Sequence, residues 1–184
     1  MSKPHDITVI AGLSGVGKTH VITELKKYSD VIIHFSAGSL IKKRRAAMNR
    51  DQLRLLSSNE ILQNQYVLIE QLTHELKSIS EHSLILFDAH MVIDTEDEVL
   101  EIPFEIFEQL NPSRFILLHD EPATILSRRA TDASRTRPQR SVKQLDEQQK
   151  QSLKLAENYA HRLSVPFIAV SSNNLHVIKD KLLT

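Results

Sequence analysis

Residues 6–19 read Asp6-Ile-Thr-Val-Ile-Ala-Gly12-Leu-Ser-Gly15-Val-Gly17-Lys18-Thr19, and the fold follows from how this stretch divides. Its first six residues are short, β-branched and almost wholly apolar, as expected of a strand buried on both faces of a parallel sheet. The glycines come next. The chain has 4 glycines in 184 residues, about 2% against the roughly 7% of average proteins, and three of them, Gly12, Gly15 and Gly17, fall within six residues. That concentration predicts a loop whose backbone must approach something closely. Gly12 to Thr19 satisfies G-x-x-x-x-G-K-[ST], set between a predicted strand and a predicted helix, which is the context this pattern requires. In such a loop successive backbone N–H groups turn inward around phosphate oxygens while the helix N-terminus adds partial positive charge. The expected ligand is ATP, held by Gly12, Ser14, Gly15, Val16, Gly17, Lys18, Thr19 and His20. Lys18 would bridge its β- and γ-phosphates and the Thr19 hydroxyl would help hold Mg²⁺. The plain alternative is a glycine-rich turn with no ligand.

Working outward, Val16 to Tyr28 reads as a helix and Val31 to Phe35 as a second strand. A basic helix follows from Ser39 to about Asn49, then a long one from about Ser58 to Ser80 with an apolar stripe at Leu62, Ile69, Leu72, Leu76 and Ile79, the spacing of one helix face. Ser83 to Phe87, Arg114 to Leu118 and Pro166 to Val170 are further buried strands. Helices are expected from Pro122 to Thr131, Ser141 to Leu163 and Leu175 to Leu183. Strands alternating with helices imply an α/β fold, a three-layer α/β/α arrangement around a five-stranded parallel sheet. The 184 residues suit one domain.

Composition narrows the classes of partner. Lys plus Arg and Asp plus Glu both total 23, so no global field exists to hold nucleic acid. Arginine clusters leave that partner open locally, but aromatic residues are 5% of the chain and tryptophan is absent, which opposes base stacking. No apolar run approaches a bilayer span, and the start lacks a secretory signal, so a cytoplasmic protein with no membrane partner is expected. Zero cysteines remove disulfides and thiolate chemistry. The nine histidines show no H-x-x-x-H pairing with a nearby acid, and no serine sits in G-x-S-x-G.

A phosphate loop needs a carboxylate for its magnesium at the end of a neighbouring buried strand. Asp88 ends one such strand, while Asp120 and Glu121 follow another. The second pair also suits a helix start, where carboxylates complement the macrodipole. Cations gather in two places: Lys42, Lys43, Arg44, Arg45, Arg50 and Arg54, then Arg128, Arg129, Arg135, Arg137, Arg140 and Lys143. A phosphoryl group in transfer spreads charge over several oxygens, which guanidinium forks can match. The second cluster, with the polar run Thr131 to Arg140, reads as such a clamp on a short lid. A solvated basic face is the bland alternative.

These motifs together resemble a nucleoside monophosphate kinase, most like the adenylate kinases of archaeal type. Phe35-Ser-Ala-Gly-Ser-Leu-Ile41 is similar to the segment that opens the acceptor domain of that family. Arg50-Asp-Gln-Leu-Arg54 resembles its R-D-x-x-R, and Phe87-Asp-Ala-His90 its D-T-H. Pro122 to Asp132 with Arg135 and Arg137 is similar to P-x-x-I-x-x-R-R-x-x-D-x-x-R-x-R. The resemblance implies ATP- and Mg²⁺-dependent phosphoryl transfer to a small acceptor, a nucleoside monophosphate. It assigns catalytic roles to Lys18, Arg128, Arg135 and Arg137 and the metal to Thr19 and Asp88. It gives the acceptor to Gly38, Lys42 or Arg54, and Gln63 or Gln65. It also implies an acceptor insertion at about 36–80 and a lid at about 131–141. The chain departs from the family after Asp-Ala-His: a glycine- and proline-rich stretch is replaced by a block with seven acids between Asp94 and Glu108 and no cation. A solvated helix face is the expectation there. Two rival functions are a regulatory ATPase acting without an acceptor, and an ATP-bound adaptor for RNA or protein.

Overall fold

The computed structural model describes residues 5–44, 57–133 and 137–183. In chain order the elements are β1 (Asp6–Ala11), α1 (Lys18–Lys26), β2 (Ile32–Ser36), α2 (Ala37–Arg44), α3 (Ser58–Leu76), β3 (Leu84–Asp88), β4 (Val92–Asp94), β5 (Val99–Glu101), α4 (Phe104–Leu110), β6 (Arg114–His119), α5 (Pro122–Thr131), α6 (Val142–Arg162), β7 (Phe167–Ser171) and α7 (Leu175–Leu183). The apolar runs form one parallel sheet of five strands in the order β2-β3-β1-β6-β7. Both faces are covered. Val9, Phe87 and Phe115 pack toward α3, α4 and α6, whereas Ile10, Leu86 and Ile116 pack toward α1 and α7. This two-sided burial is why these strands are continuously apolar rather than alternating.

Strand order explains where a site can form. β1 is central, and the chain leaves it toward β2 and β3 on one side before returning to β6 on the other. The loop after β1 therefore opens at the carboxyl edge of the sheet where the winding reverses, the position at which such sheets leave a crevice. Register brings partners to that edge: Asp88 of β3 lies level with Ile10 of β1 and Ser36 of β2. The Ala89 N–H then donates to the Ile10 carbonyl at 3.1 Å.

The acidic block is not a helix face throughout. Residues 92–101 form an antiparallel hairpin, β4 with β5, and helix begins only at Phe104. Pro103 precedes it, and Thr95 closes the turn through its hydroxyl to the Glu98 carbonyl at 2.9 Å. The Tyr159 hydroxyl donates to the Ile102 carbonyl at 2.9 Å, fixing the end of the hairpin to α6. Among the described residues no helix is long and apolar enough to cross a membrane.

Candidate active site

The loop from Gly12 to Gly17 has its three glycines at φ of 148°, 90° and 110°, a region L side chains avoid. A Cβ at Gly12 would also meet the Leu118 carbonyl oxygen at 2.6 Å. Glycine is therefore required there twice over, by conformation and by contact with β6. Lys18, 7% exposed, turns its Nζ back to the carbonyls of Gly12 at 2.6 Å and Leu13 at 3.2 Å, and stands 3.9 Å from Asp88 Oδ1. Thr19 and His20 at the start of α1 are exposed.

Two adjacent arginines of α5 brace this loop from outside. Arg128 Nη1 donates to the Val16 carbonyl at 2.9 Å, and Arg129 Nε donates to the Ser14 carbonyl at 2.8 Å. Each guanidinium has its own carboxylate. Arg128 pairs with Asp120 at 2.8 Å, and Arg129 pairs with Asp94 at 3.2 Å. Asp120 is engaged on both oxygens: Oδ1 accepts from the Glu121 N–H at 2.8 Å, and Oδ2 accepts from the Ser172 hydroxyl at 2.9 Å besides Arg128. Burial disfavours the charge of Asp120, but those hydrogen bonds and the Arg128 charge outweigh it and hold its carboxyl below the usual carboxylate value. Burial pulls Arg129 below the ordinary arginine value, with Asp94 opposing and the nearby Arg137 and Arg140 adding to the fall.

Beside the loop lies a cavity of about 330 Å³. Ser14, Thr19, Asp88, Arg129 and Arg137 line its phosphate-loop end. Its other walls are largely apolar, with Ile61, Leu68, Phe87, Ile106 and Phe107, and carry polar groups from Ser36, Asn64, Gln65 and His34. His90 Nδ1 lies 3.0 Å from the Gly12 carbonyl. Burial lowers the pKa of His34, while the Asp88 charge works the other way and Lys26 adds slightly to the fall. Asn64, 2% exposed, has an Oδ1 with no hydrogen-bond partner.

The residues singled out from sequence are distributed unevenly over this geometry. Gly12, Ser14, Gly15, Val16, Gly17, Lys18 and Thr19 form the loop and helix start, and Asp88 and Gly38 line the same cavity. Of the two glutamines, Gln65 is buried in the cavity wall with Nε2 donating to the Ile61 carbonyl at 3.2 Å, whereas Gln63 is exposed. Arg137 bonds the Ser14 hydroxyl at 3.0 Å and pairs with Asp132. Arg128 stands on the loop and on Asp120 rather than among the cavity walls. Arg54 and Arg135 lie outside the described residues, as does the side chain of Lys42. Sequence reasoning counted Arg129 in the second cationic cluster and Asp94 in the acidic block but gave neither a role of its own in the site; the two meet across 35 positions. The doublet Arg128-Arg129 was the only available signal, and spacing alone could not say which member faces the cavity.

The family model described as AAA domain (AAA_17) matches residues 11–146. An adenylate kinase of Thermoplasma acidophilum is 31% identical over 157 residues, covering 83% of this chain and 82% of the relative. Another, from Sulfurisphaera tokodaii, is 30% identical over 140 residues and covers 71% and 72%. An adenylate kinase of Methanothermobacter thermautotrophicus is 28% identical over 180 residues, with 91% of each chain covered. In fold the chain is similar to a shikimate kinase from Acinetobacter baumannii, solved in complex with shikimate, at a TM-score of 0.59 and 14% identity over 97% of this chain and 91% of that one. A sugar kinase from Janibacter gives 0.57 and 16% over 98% and 93%. By sequence and by architecture, the chain belongs to the family of P-loop nucleotide kinases that contains the archaeal adenylate kinases.

Proposed function

We propose that the chain transfers the γ-phosphoryl group of ATP to the phosphate of a nucleoside monophosphate, with Mg²⁺ as its metal. The observation that carries the reading is the shared boundary between the phosphate loop and the cavity: Ser14, Thr19, Asp88 and Arg129 border both. A donor seated in the loop would present its terminal phosphate to whatever fills the cavity. An oxygen of the acceptor phosphate bonds to the γ-phosphorus as the bond to the β–γ bridging oxygen breaks, leaving two nucleoside diphosphates. No covalent step falls to the protein, which positions the two substrates in line and neutralises charge. The names of the relatives favour AMP as the first acceptor to try.

In this reading Lys18 exchanges the Gly12 and Leu13 carbonyls for phosphate oxygens, and the loop N–H groups hold the β-phosphate. Residues 131–141 act as the lid that brings Arg137, with Arg135, over the transferring group, and Arg128 holds the loop from behind. The insertion at 36–80, which includes α2 and α3, takes the acceptor through Gly38, Gln65 and the cations Lys42 and Arg54. The metal fits the residues present. Asp88 Oδ1 is buried without a hydrogen-bond partner, and Thr19 lines the same cavity. One carboxylate and one hydroxyl suit a cation that keeps several waters and takes phosphate oxygens for the rest. When bound, Mg²⁺ would neutralise charge on the β- and γ-oxygens.

The test is direct. Purified protein is mixed with ATP, Mg²⁺ and each common nucleoside monophosphate in turn, and diphosphates are measured. At least one monophosphate, with AMP the leading candidate, should be converted, and Lys18→Ala should lower that conversion by about 100-fold or more. Conversion undiminished in the Lys18 variant would remove the assigned site. Release of phosphate from ATP at the same rate with and without every acceptor would point to an ATPase instead.

A further inference from the structure

Asp94, the last residue of β4, lines the cavity, accepts from three side chains and has no place in the proposed chemistry. Its Oδ2 accepts from Arg129 Nη1 at 3.2 Å. Its Oδ1 accepts from Arg140 Nε at 3.0 Å and from Gln148 Nε2 of α6 at 2.9 Å. Arg140 also donates through Nη2 to the Thr95 carbonyl at 2.6 Å. The Arg129 and Asp94 side chains are 6% and 12% exposed, so the pair is shielded from solvent and a lone guanidinium there would be costly.

The other arm of Arg129 reaches the phosphate loop. Its Nε donates to the Ser14 carbonyl, which shares a peptide plane with the Gly15 N–H. The chain has no cis peptide among the described residues, so carbonyl and N–H point in opposite directions across that plane. Pinning the Ser14 oxygen to Arg129 therefore turns the Gly15 N–H away from Arg129 and fixes its direction within the loop. Arg140, two residues before α6, is held by the same carboxylate.

We propose that Asp94 is a positioning residue for the donor phosphates: through Arg129 it sets the orientation of the Ser14–Gly15 peptide, and through Arg140 it ties the chain ahead of α6 to the same point. The proposal rests on the phosphate loop being the donor site, and it assigns a role to the acidic hairpin that distinguishes this chain. It also separates two arginines that look alike in sequence, since Arg128 braces the Val16 peptide with Asp120 as its carboxylate.

Inorganic tripolyphosphate, titrated calorimetrically into the full chain, isolates the loop from acceptor chemistry. Asp94→Asn should weaken its binding about tenfold, and adding Asp94→Asn to Arg129→Gln should weaken it no further than Arg129→Gln alone, the signature of one coupled unit. Gln151→Ala is the control. It removes the 2.7 Å bond from Gln151 to Glu101 that fastens the same hairpin to α6, and it should leave tripolyphosphate binding unchanged. If Asp94→Asn fails to fold, Gln148→Ala removes one donor to Asp94 from outside the site and should weaken binding roughly threefold. Unchanged or tighter binding by folded Asp94→Asn, or by Gln148→Ala where it is the variant tested, overturns the proposal, as do additive effects in the double variant or an equal loss in Gln151→Ala. Tripolyphosphate binding without phosphoryl transfer to any monophosphate would end the kinase reading while leaving the role of Asp94 to stand on the variants.

Discussion

His34 shows how much a single side chain in this cavity depends on its surroundings. It projects from the middle of β2, half-buried, with an Nε2 that has no hydrogen-bond partner, and burial is the main cause of its lowered pKa. The folded-state pKa therefore lies below the ordinary 6.5 while the unfolded chain keeps about that value. Between those two values the unfolded state binds more protons, so stability rises with pH there. The contribution is fully present above about pH 6.5 and is lost as pH falls toward the folded pKa. His34→Gln removes it. Urea unfolding of both proteins should show the stability of the wild type relative to the variant declining between pH 7.5 and 5.5, and a constant difference across that range would contradict the assignment of burial as the cause.

Among the elements, those legible from sequence were the ones whose signal is local. Strands β1, β3 and β6 announced themselves because burial on two faces demands an unbroken apolar run. The hairpin escaped because its strands are three residues long and joined by an acidic turn, Glu96-Asp97-Glu98, which imitates a polar helix face. What makes Asp94 acceptable near the core is Arg129, Arg140 and Gln148, all of them distant in sequence. Helix α3 was found from its apolar stripe, but its buried face also carries Asn64 and Gln65, polar residues that a search for apolar periodicity discards. Cavity-lining polar groups are invisible to that search by construction. Helix α6 was legible at both ends. Its start is a capping box, in which the Ser141 hydroxyl accepts from the Gln144 N–H at 3.2 Å and the Gln144 side chain accepts from the Ser141 N–H at 2.8 Å. Ser141→Ala should lower stability by about 1 kcal/mol, measured by urea unfolding, with turnover per folded molecule unchanged. A loss of turnover in that variant would mean that the first turn of α6 does more than hold the helix.

For the whole molecule, the parallel sheet supplies a rigid edge and the site's cohesion comes from charges that cross between elements. Asp94, Arg129 and Arg140 join β4 to α5 and to the segment leading into α6, while Asp120, Arg128 and Ser172 join the ends of β6 and β7 to the loop after β1. Much of this network is built around backbone carbonyls of the phosphate loop, so filling the loop should be felt as added stability of the entire fold. A ligand that binds only the folded chain stabilises it by about 2.7 kcal/mol at a concentration of 100 times its Kd. For a chain of this size that corresponds to a rise of roughly 5–11 °C in the melting temperature. ATP with Mg²⁺ at such a concentration should produce that rise, and inorganic tripolyphosphate with Mg²⁺ at a matched multiple of its own Kd should produce one of similar size. Lys18→Ala, which loses the cation proposed to meet the phosphates, should show a small shift or none at the same ligand concentration. Differential scanning calorimetry distinguishes the outcomes. An undiminished shift in Lys18→Ala would place the nucleotide elsewhere on the molecule, because a ligand seated in this loop cannot be indifferent to the buried lysine that borders it.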